Sequence, residues 1–348
     1  GSKYMEAESL RASINVQLLL WENVYGRQEG EDTFSLRLEG IIRRAYEQTG
    51  QQVVVLVDEY DAPMLDSNNN HELQHEIRGI MRDFFSPLKK SGKYLRFLFL
   101  TGISKFSQMS IFSELNNLQN VSMSDNYSTI CGITEQELLT QMKIDVEQMA
   151  QANDETYEEA CAHLKKQYDG YHFGERMTDI YNPFSILNAF DSMAIRDYWF
   201  STGTPTYLVR LLQHSREQIN ELAGRYYVPS LFVDYKADVE QPLPMIYQSG
   251  YLTIKEYNRR MGTYLLDFPN NEVRKGFLSV LAAHYLKPGG GEVNSWIIDA
   301  VTCLEQGNTS AFCDSLTAFL ASIPYDSHTS LKELDMTEKH FQYTFYLI

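Results

Sequence analysis

Residues 53–63 read Val53-Val54-Val55-Leu56-Val57-Asp58-Glu59-Tyr60-Asp61-Ala62-Pro63, an unbroken apolar run that ends on crowded carboxylates. β-Branched residues without polar alternation predict a strand of a parallel sheet, packed on both faces. Acids crowded beside a core are costly unless they are solvated, paired or bound to a metal. Either the strand emerges into water here, or the acids carry chemistry.

The flanking sequence places that strand in an alternating pattern. Upstream, Leu10, Ile14, Leu18 and Trp21 recur at helical spacing, as do Leu38, Ile41, Ile42 and Ala45 before Gly50 stops the second helix. Downstream, Leu73, Ile77, Ile80, Met81, Phe84, Phe85 and Leu88 form one helical face, and after Gly92 a second apolar run reads YLRFLFLT. Helix, strand, helix, strand predicts right-handed crossovers and a parallel sheet.

Past Cys131 the pattern becomes helical. Thr134-x-x-Glu137 and Thr156-x-x-Glu159 are capping boxes, while Asn182-Pro183 and Thr204-Pro205 put a capping residue before proline at the first helical position. At 251–268, LTIKEY and TYLLDF flank NRRMG and predict a hairpin between helical regions, an arrangement expected of a winged helix. KPGGG at 287–291 marks a loop or boundary.

Composition narrows the function classes. The 348 residues are 43% hydrophobic, enough for a large core and two or three domains. Cys131, Cys161, Cys303 and Cys313 lie far apart with no CxxC pair, which predicts reduced thiols and a cytoplasmic protein. No apolar run is long enough to span a bilayer, so no membrane partner is expected. The net charge of -16 disfavours broad electrostatic capture of nucleic acid.

His71-Glu72-Leu73-Gln74-His75 matches the HExxH pattern of zinc proteases, whose chemistry needs two imidazoles one helical turn apart in a cleft. Helical geometry puts both histidines about 140 to 170° from the apolar face, toward solvent. Zinc proteolysis is therefore not the expected activity.

A parallel strand ending in Asp58-Glu59, followed by a helix and a second apolar strand ending in Thr101, resembles the Walker B and sensor strands of AAA-type P-loop ATPases. In that chemistry Asp58 holds Mg²⁺ through water, Glu59 polarises the attacking water, and Thr101 or Ser104 orients it near the γ-phosphate of ATP. All sit at carboxyl ends of strands, where open α/β sheets place ligands.

Together with YLRFLFLTGISKFS, SELNNL, KKQYDGYHF, YNPFSILNAF, YWFSTGTPTYL, YQSGYLTI and FPNNEVRKGF, the stretch makes the chain similar to the bacterial predicted AAA-ATPase family common in gut Bacteroidetes. The resemblance implies an α/β fold: a partial P-loop NTPase, AAA-like parallel sheet with a helical lid and winged-helix-like region, followed in the family by a PD-(D/E)XK nuclease domain. The expected layout is a partial AAA-ATPase-like core at 3–132, the lid at 133–225, the winged-helix-like region at 226–286, and at 287–348 a helical linker leading to a truncated nuclease domain.

GxxxxGK[ST] is absent, since the Gly92-Lys93 pair has Pro87 where the first glycine belongs and Tyr94 after the lysine. TEKHFQYTFYLI, at 337–348, resembles the opening helix of the nuclease domain. The expectation is a fragment that lacks the P-loop segment and the nuclease core, is inactive alone, and binds ATP and Mg²⁺ weakly or not at all. Its exposed sheet edge and face would favour homo-oligomers.

The alternative is a DNA- or protein-binding winged-helix module with a vestigial ATPase core. Lys255, Arg259 and Arg260 are its candidate nucleic-acid contacts, able to reach phosphates from a wing. A third reading, a nuclease metal site at Asp58, Glu59 and Asp61, is disfavoured because no ExK follows on an adjacent strand.

Overall fold

The computed structural model describes residues 6–67, 70–103, 118–201, 222–233, 242–285, 296, 299–300, 302–304 and 306–322. It is a mixed α/β structure of helices and small sheets that divides into two compact units. One comprises Gly1–Ser128, Phe173–Met177 and Arg216–Asp267; the other comprises Thr129–His172, Thr178–Ser215 and Phe268–Ile348.

The first unit opens with α1 (Ala7–Tyr25) and α2 (Phe34–Thr49). Leu10, Ile14 and Leu18 of α1 and Leu38, Ile41, Ile42 and Ala45 of α2 are buried, while Trp21 is half-buried. The Thr33 hydroxyl accepts the Leu36 amide at the start of α2, and Gly50 ends it at φ 66°, a left-handed conformation that suits glycine. Two buried ion pairs join this layer. Arg37 donates from Nε and Nη2 to the two carboxylate oxygens of Glu22 at 2.6 and 2.8 Å, and Arg44 meets Glu31 at 2.5 Å.

Next come β1 (Val53–Val57), α3 (Ala62–Leu65), α4 (His71–Phe85), α5 (Pro87–Lys90) and β2 (Leu95–Leu100). The strands pair in parallel, with Val54 opposite Phe97 and Val57 opposite Leu100. Helix α2 packs against β1, and α1 and α4 pack with α2. The expectation that the strand is buried on both faces is not met. Val53, Val55 and Val57 are half-buried, whereas Val54 is 51%, Leu56 69% and Phe97 53% exposed. A pleated strand sends alternate side chains to opposite faces, so among the described residues the face carrying Val53, Val55 and Val57 is the more covered one. His71 and His75 are exposed on α4, whose buried side carries Gln74, Ile77, Ile80, Met81 and Phe85.

The second unit begins with β3 (Ile133–Thr134), α6 (Glu135–Thr140), α7 (Lys143–Ala152) and α8 (Tyr157–Tyr168). It continues with β4 (Ile180–Tyr181), α9 (Pro183–Ser192) and α10 (Tyr198–Ser201). Both capping boxes form, at Thr134–Glu137 and Thr156–Glu159, and the Asn182 side chain accepts the Phe184 and Ser185 amides with Pro183 in the first turn. Thr204 and Pro205 lie outside the described residues. The core holds Leu138, Val146, Met149, Leu164, Tyr168 and Ile186.

After β5 (Arg225–Tyr227), the first unit continues with α11 (Leu243–Gln248), β6 (Thr253–Asn258) and β7 (Thr263–Asp267), as an antiparallel sheet of order β5-β7-β6. Asn258 accepts the Gly262 amide at 2.8 Å to close the hairpin, and Gly262 takes φ 63°. In the second unit α12 (Asn271–Tyr285) packs on α8 and α10, and α13 (Thr309–Ser322) follows. Glu272, fully buried, accepts the Ser185 hydroxyl and the Trp199 amide, each at 2.7 Å, and so ties α9, α10 and α12 together. Among the described residues no helix is long and apolar enough to cross a membrane.

Candidate functional site

Parallel pairing puts the carboxyl ends of β1 and β2 side by side. The Thr101 amide donates to the Val57 carbonyl at 2.8 Å and the Tyr60 amide to the Thr101 carbonyl at 3.0 Å. This extension of the ladder aims the Thr101 hydroxyl at Asp58, where it donates to Oδ1 at 2.5 Å. The Glu59 amide donates to the same oxygen at 3.0 Å. Both bonds fall on Oδ1, so among the described residues Oδ2 keeps its lone pairs.

Glu59 has φ 50°, the left-handed region that a residue with a Cβ rarely adopts. Its carbonyl accepts the Ala62 amide at 3.0 Å, so a turn holds it there. Asp58 and Glu59 are exposed and Thr101 is half-buried. Strained backbone of this kind concentrates at functional sites, where surrounding bonds enforce it.

The structure thus brings Asp58, Glu59 and Thr101 together, while Ser104 lies outside the described residues. An exposed carboxylate with one uncommitted oxygen suits a hydrated Mg²⁺, which keeps several waters and takes few protein ligands. Among the described residues no group of three or more His, Cys, Asp or Glu is arranged to hold a metal ion.

Lys255 is half-buried on β6, and Arg259 and Arg260 are exposed in the turn between β6 and β7. These three lie on one hairpin.

A cluster in the second unit escaped sequence reasoning. Asp169 ends α8 with its carboxylate 2% exposed and neither oxygen in a well-formed hydrogen bond. Lys165 Nζ stands 3.8 Å from it, bonded instead to Glu135 at 2.9 Å and paired with Asp179 at 3.5 Å. Burial pushes the Asp169 carboxyl up to about 6, with the Gly170 amide and Lys165 offsetting this in part. Asp179 is also desolvated, yet the His172 ring, bonded to it at 2.7 Å, and Lys165 hold it below the usual carboxylate range. The stretch KKQYDGYHF counted only toward the family resemblance, and its Asp169-Gly170 reads as an ordinary helix end.

Comparison with known proteins bears on the first unit most specifically. Residues 1–112 match the family described as predicted AAA-ATPase. The chain is 33% identical over 329 residues to a protein of Azotobacter chroococcum mcd 1 described as "Uncharacterized protein in vnfD 5'region". That match takes in 94% of this chain and 61% of the relative, so the chain spans less than two thirds of the length of the curated relative it matches. No solved structure matches the chain.

Proposed function

We propose that the chain is the ATPase-like part of an AAA-type protein, in which ATP turnover drives a conformational change. The observation that carries this reading is the Thr101 hydroxyl bonded to Asp58 at the ends of two adjacent parallel strands, with Glu59 alongside. The match of residues 1–112 to a predicted AAA-ATPase family supports it.

In this reading Asp58 would hold a hydrated Mg²⁺, which would supply charge neutralisation at the phosphates. Thr101 fixes the Asp58 carboxylate, and Ser104 serves as a second orienting hydroxyl. Glu59 orients a water and takes its proton as the water oxygen bonds to the γ-phosphorus and the bond to the ADP oxygen breaks. The 348 residues contain no GxxxxGK[ST] cradle of backbone amides and lysine. We therefore expect this chain alone to bind Mg·ATP weakly and not to turn it over.

The wider assignment rests on the family resemblance. The protein is a cytoplasmic ATPase whose core is followed by a helical lid, a winged-helix-like region and a PD-(D/E)XK nuclease domain. Helix α11 feeding the β6–β7 hairpin, with β5 added, supports the winged-helix element. Steady-state hydrolysis of ATP by the longest protein the gene encodes tests the reading. Turnover abolished by Glu59→Gln, with nucleotide still bound, is expected; a long form that neither binds nor hydrolyses ATP would sink it.

The alternative reading is a winged-helix module that binds DNA or a protein partner beside a vestigial ATPase core. Arg259 and Arg260 at the exposed hairpin turn favour it, and the net charge of -16 opposes a broad DNA-binding face. Arg259→Ala with Arg260→Ala should weaken DNA binding and flatten its salt dependence. Unchanged binding removes the hairpin from consideration.

A further inference from the structure

Behind the exposed acids sits a third one that the proposed reaction leaves unused. Asp61 is 1% exposed, a depth at which a carboxylate persists only when its surroundings compensate it. Its backbone is fixed, because its carbonyl accepts the Met64 and Leu65 amides at 2.9 and 3.1 Å at the start of α3. Its side chain lies against Gly102, the residue that follows Thr101. A Cβ on Gly102 would stand 2.4 Å from Asp61 Oδ1 and 2.8 Å from the Tyr60 ring, closer than carbon atoms tolerate. The Asp61 carboxylate and the Tyr60 ring therefore both lie against Gly102, where a side chain would have to displace them.

We infer that Asp61 is a positioning residue whose buried carboxylate, seated on Gly102, holds the end of β2 where the Thr101 hydroxyl reaches Asp58. This contact works with the ladder, since the Tyr60 amide already bonds the Thr101 carbonyl and the Thr101 amide bonds Val57. Those bonds fix the main chain at Thr101 on one side, and the Asp61 carboxylate lies against the next residue, Gly102, on the other. The catalytic consequence rests on the reading of Asp58 and Thr101 proposed above; the structural clamp does not.

Two measurements separate these. On the 348-residue chain, hydrogen exchange is followed for peptides covering 95–103 and 34–49 in Asp61→Ala, Asp61→Asn and Gly102→Ala. The two alanine variants should speed exchange at 98–103 by about tenfold and leave α2 unchanged. Asp61→Asn, which keeps the shape and one acceptor, should exchange as the parent does. In the longest gene product, the alanine variants should lower kcat for ATP by about tenfold with KM held, and Asp61→Asn should restore it.

Native exchange at 98–103 in both alanine variants overturns the clamp. So does equal loss of protection in α2, which would describe a residue holding the whole unit. Should Asp61→Ala fail to fold, Gly102→Ala carries the test. A parent protein without ATPase activity refutes the proposed function and leaves the exchange result to decide the clamp.

Discussion

The Thr101 hydroxyl and Asp58 Oδ1, 43 residues apart in sequence, meet at 2.5 Å across the ends of two parallel strands. A hydrogen bond to a charged group contributes about 1.5 to 3 kcal/mol, and at an exposed site the lower figure applies. Thr101→Val keeps the strand-forming shape and deletes the donor. In the longest gene product it should lower kcat about tenfold. Steady-state kinetics check this, and an unchanged kcat would leave Asp58 positioned without Thr101.

Asp169 gives the second unit an unusual pH dependence. Its folded value, about 6, lies above the ordinary 3.8, so the native state holds the proton more tightly than the unfolded chain. The stability this contributes is present below about pH 4 and is lost as pH rises through about 6. Asp169→Asn should therefore stabilise the protein at pH 7, by up to about 3 kcal/mol, and by much less at pH 4. Thermal melts of both proteins at the two pH values test the sign, and an equal gain at both contradicts it.

Glu22 works in the opposite direction. Its hydrogen bonds from Arg37 hold its carboxyl below the usual range despite burial, so its contribution is present at neutral pH and lost on acidification through the lowered value. Arg37→Met leaves Glu22 buried without its hydrogen-bonded partner, with Arg27 Nε 3.9 Å away and Arg44 acting on it at longer range. The expected cost is about 3 to 5 kcal/mol at pH 7. Adding Glu22→Leu removes the stranded charge and should recover most of it. Urea titrations of the single and double variants decide whether the cost is the stranded charge or lost packing.

Local chemistry was the legible part of this structure. Thr134, Thr156 and Asn182 cap their helices because capping needs only residues three positions apart. Asp58 and Thr101 could be paired in advance because each ends an apolar run, and parallel strands align their ends. Long-range packing hid the rest. Asp169 looks like any helix-ending Asp-Gly until the fold buries it, and nothing near Glu272 in sequence points to Ser185 or Trp199. The left-handed backbone of Glu59 is equally silent, since glutamate carries no preference for it. The Val53–Val57 run told of a strand and its parallel partner but not of its burial, since Val54 and Leu56 stand exposed.

That exposed face makes the last prediction. Val54, Leu56 and Phe97 are each more than half exposed on one side of the β1–β2 pair, and the Phe97 and Phe99 rings stack 6.0 Å apart beside them. Contiguous apolar surface of this kind recruits other chains. The net charge of -16 opposes self-association at long range and is screened by salt, whereas apolar contact is not weakened by it. Light scattering at rising protein concentration should therefore give masses above the 40.2 kDa monomer, increasing with sodium chloride. Val54→Thr with Leu56→Thr keeps strand propensity and removes apolar area, so it should return the particle toward monomer. A chain that stays monomeric at every concentration and salt level, or a double variant that associates as the parent does, would show that this face recruits no second copy.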